Sequence, residues 1–167
     1  MRIIAVIAGL SFVVLLTVTV VAQRGGGQNQ PAPSITETKI VTAAEVATLV
    51  AGTPKDRNGN GNLIRLTPYN VNMEHRIMSQ AASVHETEAE LFYVIDGAGT
   101  LVTGGKLTEE RRTNAENLSG TVIEGGVSKR VAKGDWFLVP AGQPHQYPAV
   151  EAGGLTLMAL HLPKKIS

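Results

Sequence analysis

The segment from Gly134 to His145 constrains the fold of this chain more than any other part of its sequence. Gly134-Asp135 opens the segment, a short apolar run from Trp136 to Val139 follows, and Pro140-Ala-Gly142 ends that run. Short apolar runs between turn residues are typical of β-strands, and a proline cannot continue a hydrogen-bonded ladder. Gly142 can supply the positive φ that a tight turn often needs. The pattern therefore predicts a strand, a reversal, and His145 at the start of the next strand.

A second segment brings a histidine and a carboxylate close together in sequence. His85 lies in a short extended stretch, Glu90 begins an apolar run to Ile95, and residues 96–99 read Asp-Gly-Ala-Gly. Glycine and aspartate in this arrangement are typical of a turn between two antiparallel strands. We therefore expect a hairpin turn at 96–99.

These two segments resemble the motifs of the cupin family, which are small β-barrels of the jelly-roll type. Gly134, Pro140, Gly142 and His145 occupy the spaced positions of the family's second motif, with Ala149 where asparagine is usual. In the first motif the second histidine, the glutamate and the closing glycine are matched by His85, Glu90 and Gly97. Ser83 stands in place of the first histidine, and Ile77 in place of the opening glycine. The resemblance covers about residues 63 to 162.

The resemblance implies a metal site formed by His85, Glu90 and His145. Two imidazoles and one carboxylate suit a divalent transition metal such as Fe, Mn, Ni or Zn, and leave positions open for water or substrate. The competing interpretation is that these side chains only satisfy hydrogen bonds inside the barrel. Because a neutral hydroxyl is a poor ligand, Ser83 is expected close to the metal without binding it, which leaves the site either open or inactive.

Several other residues have two interpretations each. His75 and His161 alternate with apolar neighbours, so each is either a further ligand or a core histidine with a hydrogen-bond partner. Glu86 and Glu88 are expected to be solvated strand or turn residues and not ligands. The aromatic side chains near the motifs are expected in the core or in the pocket wall; they are Phe92, Tyr93 and Trp136.

The rest of the chain predicts an all-β fold with one short helix. Thr42 is a candidate N-cap for a helix from Ala43 to Ala51, with Glu45 placed as in a capping box and Gly52 at the end. Residues 55–62 are rich in Asn, Asp and Gly and are expected to form turns. Many short strands interleaved with Gly and Pro then favour a single β-barrel domain over 42–167, preceded by a flexible linker over 23–41.

The N-terminus predicts export from the cytoplasm. Residues 3–22 are almost continuously apolar, follow Arg2 and end in Val20-Val-Ala22, as signal peptides do. Residues 1–22 are therefore expected to be a signal peptide, with an uncleaved membrane anchor as the alternative because about 20 apolar residues can span a bilayer. The barrel is then expected in the periplasm or secreted. A chain of 167 residues without cysteine has no disulfide, so its stability comes from a packed core.

Charge and motifs leave several classes of function open. A formal net charge of +1 gives no reason to expect nucleic-acid binding, and membrane contact is expected only if residues 1–22 stay attached. The first hypothesis is a metal-dependent oxygenase or isomerase acting on a small molecule in the barrel. The second is a non-catalytic barrel that binds a small ligand, and the third is a structural protein. A homodimer is the expected assembly.

Overall fold

The computed structural model describes residues 38–66 and 69–163. The predicted signal peptide, its anchor alternative and most of the predicted linker lie outside these residues. Within the described ranges, no helix is both long and apolar enough to cross a membrane. The elements, in chain order, are α1 (Ala43–Ala51), β1 (Gly59–Leu66), β2 (Tyr69–Arg76), β3 (Ala82–His85), β4 (Glu88–Thr103), β5 (Lys106–Leu107), β6 (Arg111–Arg112), β7 (Asn117–Gly120), β8 (Ile123–Glu124), β9 (Val127–Ala132), β10 (Trp136–Val139) and β11 (His145–Pro163).

The helix α1 begins and ends where the sequence predicts. The Thr42 hydroxyl accepts a hydrogen bond from the Glu45 backbone N–H at 3.3 Å, and the Glu45 carboxylate accepts one from the Thr42 backbone N–H at 2.7 Å. This reciprocal pair satisfies backbone donors that a helix N-terminus otherwise leaves unpaired. Leu49 of α1 lies near Gly61 of β1, which places the helix against the outside of the sheet.

The strands are antiparallel and form one large sheet and a two-stranded ribbon. In the large sheet the successive neighbours are β1, β2, β11, β3, β7 and β6, and β4 pairs with β9, β10 and β11. The ribbon consists of β5 and β8. Strands distant in sequence are thus adjacent in space, as in jelly-roll folds. The expected all-β class with one short helix is confirmed.

Two expected turns are instead parts of strands. The expectation of a hairpin turn at 96–99 is wrong, because β4 continues through Gly97 and bends there. Gly97 has a φ of 78°, and the carbonyl of Gly154 occupies the place where a Cβ would lie. The bend lets β4 pair with β11 through Gly97↔Leu155 and with β9 through Ala98↔Ala132. Residues 59–62, expected to form turns, are the start of β1, because they pair with β2.

The inner side of the sheet forms the hydrophobic core. Alternate residues of β4, β10 and β11 point to this side and are almost fully buried. Phe92 stacks on Phe137 with ring centroids 4.9 Å apart. The same side of β4 carries Glu90, two residues before Phe92, so one carboxylate shares the buried face with the core.

The opposite side of β4, β10 and β11 is also apolar, and we call it the outer face. Trp136 and Leu138 of β10 are 61% and 53% exposed there. The expectation that Trp136 lies in the core or pocket wall is wrong, because the neighbouring Phe137 takes the inward position. Tyr93 lies beside Trp136 with ring centroids 4.6 Å apart. The outer face comprises Leu91, Tyr93, Ile95, Trp136, Leu138, Met158 and Leu160.

Candidate metal centre

Three strands bring His85, Glu90 and His145 together. His85 ends β3, His145 begins β11, and Glu90 lies near the start of β4. The turn after β10 contributes directly, because the Gly142 N–H donates to the His85 carbonyl at 2.7 Å. Gly142 has a φ of 82°, as the sequence predicts for this turn. The second motif therefore both carries His145 and docks the turn before it onto the strand that carries His85.

The ligand atoms of these residues form one compact cluster. One atom from each lies within 4.8 Å of the others. Glu90 Oε2 is 3.1 Å from His145 Nε2 and 3.4 Å from His85 Nε2. Two atoms that each bind one ion at about 2.1 Å lie about 3.0–3.4 Å apart for angles between octahedral and tetrahedral. The observed separations are those of ligands poised around a shared ion.

The other ring nitrogen of each histidine has an oxygen partner. His85 Nδ1 lies 2.7 Å from Asn117 Oδ1, and His145 Nδ1 lies 3.5 Å from the Gln143 carbonyl. A carbonyl oxygen only accepts, so Nδ1 is the donor in each contact, and in the neutral ring the lone pair lies on Nε2. Partners of this kind fix the orientation of metal-binding histidines in proteins.

Burial shifts the pKa values of two groups in the cluster so that their neutral forms are favoured. Glu90 and His145 are 3% and 7% exposed. Loss of water raises the pKa of the Glu90 carboxyl to about 7, and it lowers the pKa of His145 to about 4, with the nearby His85 adding to the decrease. Without an added positive charge, burial therefore disfavours the ionised Glu90 carboxylate and the protonated His145 imidazole.

Glu90 Oε2 is the atom that best shows the fit to a metal ion. Within the described part of the chain it is buried and makes no hydrogen bond, since its contacts with the two imidazoles lack hydrogen-bond geometry. A buried, unpartnered carboxylate oxygen costs about 1–3 kcal/mol or more. A divalent cation would satisfy this oxygen and the lone pairs of His85 and His145 at once. The residues present therefore fit a divalent transition metal.

The cluster opens into a small polar cavity. Its volume is about 50 Å³, and Glu74, Arg76, Ser83 and Tyr147 contribute to its wall. Ser83 therefore lines the same cavity as His85 and His145. The Tyr147 hydroxyl is buried and, among the described residues, has no hydrogen-bond partner, and burial raises its pKa. This hydroxyl is a donor available to whatever occupies the cavity.

The remaining histidines occupy different environments. His75 lies on the opposite side of β2 from Glu74, and its Nδ1 is 2.9 Å from the Thr156 hydroxyl. Of its two alternative roles, His75 therefore has that of a core histidine with a hydrogen-bond partner. His161 lies at the cluster, with Nε2 3.4 Å from Glu90 Oε1. Its Nδ1 is 2.9 Å from Glu88 Oε2, so Glu88, which is partly exposed and outside the ligand group as expected, also contacts a histidine of the site.

Some site residues have no signal in the motifs. Asn117 follows a long polar segment and reaches His85 only through the pairing of β3 with β7. Tyr147 lies two residues after His145, so strand alternation from that histidine places it on the same side. Arg76 and Glu74 alternate in the same way on β2, and their side chains form a buried ion pair at 2.6 Å. Alternation was thus an available signal for Tyr147 but not for Asn117.

Comparisons with known proteins bear on the fold alone. No protein-family model matches the chain, and no curated protein does. The crystal structure of BH2720 from Bacillus halodurans is similar, with a TM-score of 0.52 and 16% identity over 80% of this chain and 87% of that chain. TT1209 from Thermus thermophilus gives a TM-score of 0.48 and 16% identity, over 70% of this chain and 93% of that chain.

A third similar structure is KdgF from Halomonas sp., with a TM-score of 0.46 and 16% identity over 66% of this chain and 84% of that chain. At 16% identity, the similarity to BH2720 speaks for architecture and not for activity. The strand order and the likeness to BH2720 agree with the motif resemblance. The chain therefore has the cupin fold.

Proposed function

We propose that the cluster of His85, Glu90 and His145 binds one divalent transition metal ion, and that the ion acts on a small molecule. The observation that carries this proposal is the buried, unpartnered Glu90 Oε2 facing two imidazole Nε2 atoms at 3.1 and 3.4 Å. Two imidazoles and a carboxylate leave coordination positions open, as in non-haem iron oxygenases. When bound, the ion supplies a Lewis acid for an oxygen-bearing ligand.

The sizes of the cavities suggest where an organic substrate lies. The inner cavity of about 50 Å³ has room for an ion and a few water-sized groups. A larger cavity of about 450 Å³ shares Gln80, Ala81 and Gln146 with it and has Arg111 in its wall. We place the body of the substrate in the larger cavity and its metal-binding group in the inner one. The Tyr147 hydroxyl would donate a hydrogen bond to that group.

Metal titration tests the proposal. Metal-free protein titrated separately with Fe(II), Mn(II), Ni(II) and Zn(II) is expected to take up about one equivalent of at least one of them. His145→Ala is expected to weaken that binding by about 100-fold or more, because it removes a ligand whose loss the other groups cannot replace. Calorimetry and elemental analysis of the dialysed protein measure both quantities.

His75→Gln is the matched control, because it alters a buried histidine on the other side of the sheet. It is expected to bind metal as the wild type does. Uptake by the wild type below about a tenth of an equivalent for every ion would reject the metal site. Equal loss of binding in both histidine variants would show that the fold, and not the ligand set, is being measured.

We also propose that the barrel forms a homodimer through the outer face. The seven side chains of that face carry no charge, and Trp136 and Leu138 are more than half exposed. Contiguous exposed apolar surface on a small protein marks an interaction site. A two-fold interface brings identical patches together, and an uncharged apolar patch is complementary to itself. A second copy of the chain is therefore the occupant we expect.

Export is proposed from the sequence of residues 1–22 alone. The basic start, the apolar run and the small-residue ending of this segment are those of a signal peptide. Mass spectrometry of the protein from its native cell is expected to find Gln23 as the mature N-terminus. An intact chain in the membrane fraction would favour the anchor, and an intact chain in the cytoplasm would reject export.

A further inference from the structure

His161 is a third imidazole at the cluster, and it comes from the last strand. It lies directly across the ladder from Glu90, because β11 and β4 pair through His161↔Glu90. Paired residues of an antiparallel ladder project from the same side of the sheet. The His161 and His85 rings have centroids 5.5 Å apart, the same separation as between His85 and His145. His85 is thus equally close to both of the other rings.

The spacing between His161 and Glu90 is that of two ligands of one ion. His161 Nε2 lies 3.4 Å from Glu90 Oε1, the oxygen that does not face the other two imidazoles. Atoms bound to one ion at about 2.1 Å lie about 3.0–3.4 Å apart. Each oxygen of this carboxylate therefore has an imidazole Nε2 at a ligand-like separation. The group whose ligand atoms all lie within 4.8 Å of one another is His85, Glu90 and His145, so binding of one ion by all four residues requires the His161 ring to move towards the other two imidazoles.

The orientation of His161 also matches that of the other two imidazoles. Its Nδ1 is 2.9 Å from Glu88 Oε2, and an ionised carboxylate only accepts hydrogen bonds. Nδ1 is therefore the donor to Glu88, and in the neutral ring the lone pair lies on Nε2, the atom that is 3.4 Å from Glu90 Oε1. A carboxylate that holds a histidine by its far nitrogen is a recurring arrangement behind metal-binding imidazoles.

We propose that His161 is a fourth protein ligand of the metal, held in place by Glu88. This inference rests on the proposed metal site and extends it to three imidazoles and one carboxylate. Ser83 leaves the site one imidazole short on β3, and His161 supplies one from β11 instead. The rival role for His161 is an imidazolium that joins Glu88 to Glu90 and does not touch the ion.

Pulsed EPR of the Cu(II)-loaded protein separates these two roles, because it counts the imidazole nitrogens bound to the metal. The wild type is expected to show three bound imidazoles, and His161→Gln two. Affinity for Co(II), measured by competition with a chelator, is expected to fall about 10–100-fold in His161→Gln. Glu88→Gln keeps an oxygen that accepts from Nδ1, so it is expected to keep the third imidazole and to lose less than about 10-fold in affinity.

The outcomes distinguish failure of this inference from failure of the metal site. A wild type that binds Cu(II) and Co(II) with only two imidazoles, unchanged in His161→Gln, would overturn the role of His161 and leave the proposed function standing. A wild type that binds neither ion would overturn both. His161→Ala repeats the count in case glutamine itself binds the ion, and a third imidazole remaining in both variants would also overturn the assignment.

Discussion

Glu90→Gln is expected to abolish tight metal binding and, at the same time, to stabilise the metal-free fold at pH 8. The amide is a much poorer ligand than the carboxylate, and we expect affinity to fall by about 100-fold or more. Stability is expected to rise because the native carboxyl is 3% exposed and its Oε2 makes no hydrogen bond within the described residues. A residue whose only role is to stabilise the fold would lose stability on substitution, so a gain in stability together with a loss of metal binding marks a functional residue.

The size of the stability effect follows from the pKa of Glu90. Burial raises it from 4.5 to about 7, so the folded protein holds a proton that the unfolded chain releases between these values. The contribution of this carboxyl to the free energy of unfolding is fully present below pH 4.5 and is lost as the pH rises through 7. One pKa unit corresponds to about 1.4 kcal/mol, so a rise from 4.5 to about 7 means that ionisation costs the metal-free fold on the order of 3 kcal/mol at pH 8. The glutamine does not ionise and avoids this cost.

Urea unfolding with chelator present, at pH 5 and pH 8, measures the effect. The advantage of Glu90→Gln over the wild type is expected to be larger at pH 8. His145 has a pKa lowered to about 4 and gives the opposite slope between pH 4 and 6.5, so the two proteins are compared at each pH. Glu86→Gln is the control, because that carboxylate is paired with Arg112 at the surface and is expected to change stability by less than about 1 kcal/mol. A variant that is less stable than the wild type at pH 8 would contradict this account.

The site was predictable from sequence to the extent that its residues follow one another at fixed spacing. The turn at Gly142 and the strand before it are local features, so their residues predict them and carry His145 with them. The helix at Ala43–Ala51 was predictable for the same reason, because its capping box is contained in four consecutive residues. Local hydrogen bonding decides both.

Residues that meet through long-range pairing were not predictable in the same way. Gly97 looks like a hairpin residue, because its sequence neighbours are those of a turn. Its conformation is instead set by the distant Gly154, which comes close enough to leave no room for a side chain. Likewise, Glu88 reaches His161 only because β4 and β11 pair along most of their length. Which distant strands will pair is decided by the whole core, and a single sequence does not reveal it.

The face taken by a strand residue was the other point of failure. Trp136 and Phe137 are adjacent aromatic residues, and alternation requires one of them to point inward. Both are large and apolar, so hydrophobicity alone does not decide which of them points inward. The structure chooses Phe137, because it stacks on Phe92 while Trp136 lies beside Tyr93. Both sides of this part of the sheet are apolar, so the sequence pattern does not distinguish the buried side from the exposed one.

The second large expected effect concerns the outer face, where charged substitutions should convert the proposed dimer to a monomer. Leu138→Glu combined with Trp136→Glu is expected to abolish the homodimer, because dimerisation would then bury four carboxylates without partners. Both side chains are more than half exposed in the single chain, so the folded monomer should tolerate the change. Light scattering coupled to size-exclusion chromatography measures the mass, and circular dichroism checks the fold.

Val127→Glu is the matched control for this pair. Val127 is 61% exposed, as Trp136 is, but it lies on β9 and outside the outer face. If exposed apolar side chains in general cause association, this variant should weaken the dimer as well. If the outer face is the interface, Val127→Glu keeps the dimer mass, and only the double variant falls to about half of it. A wild-type chain with the mass of a monomer at micromolar concentration would reject the interface, whereas the metal centre, formed from β3, β4 and β11 of one chain, would be unaffected by that result.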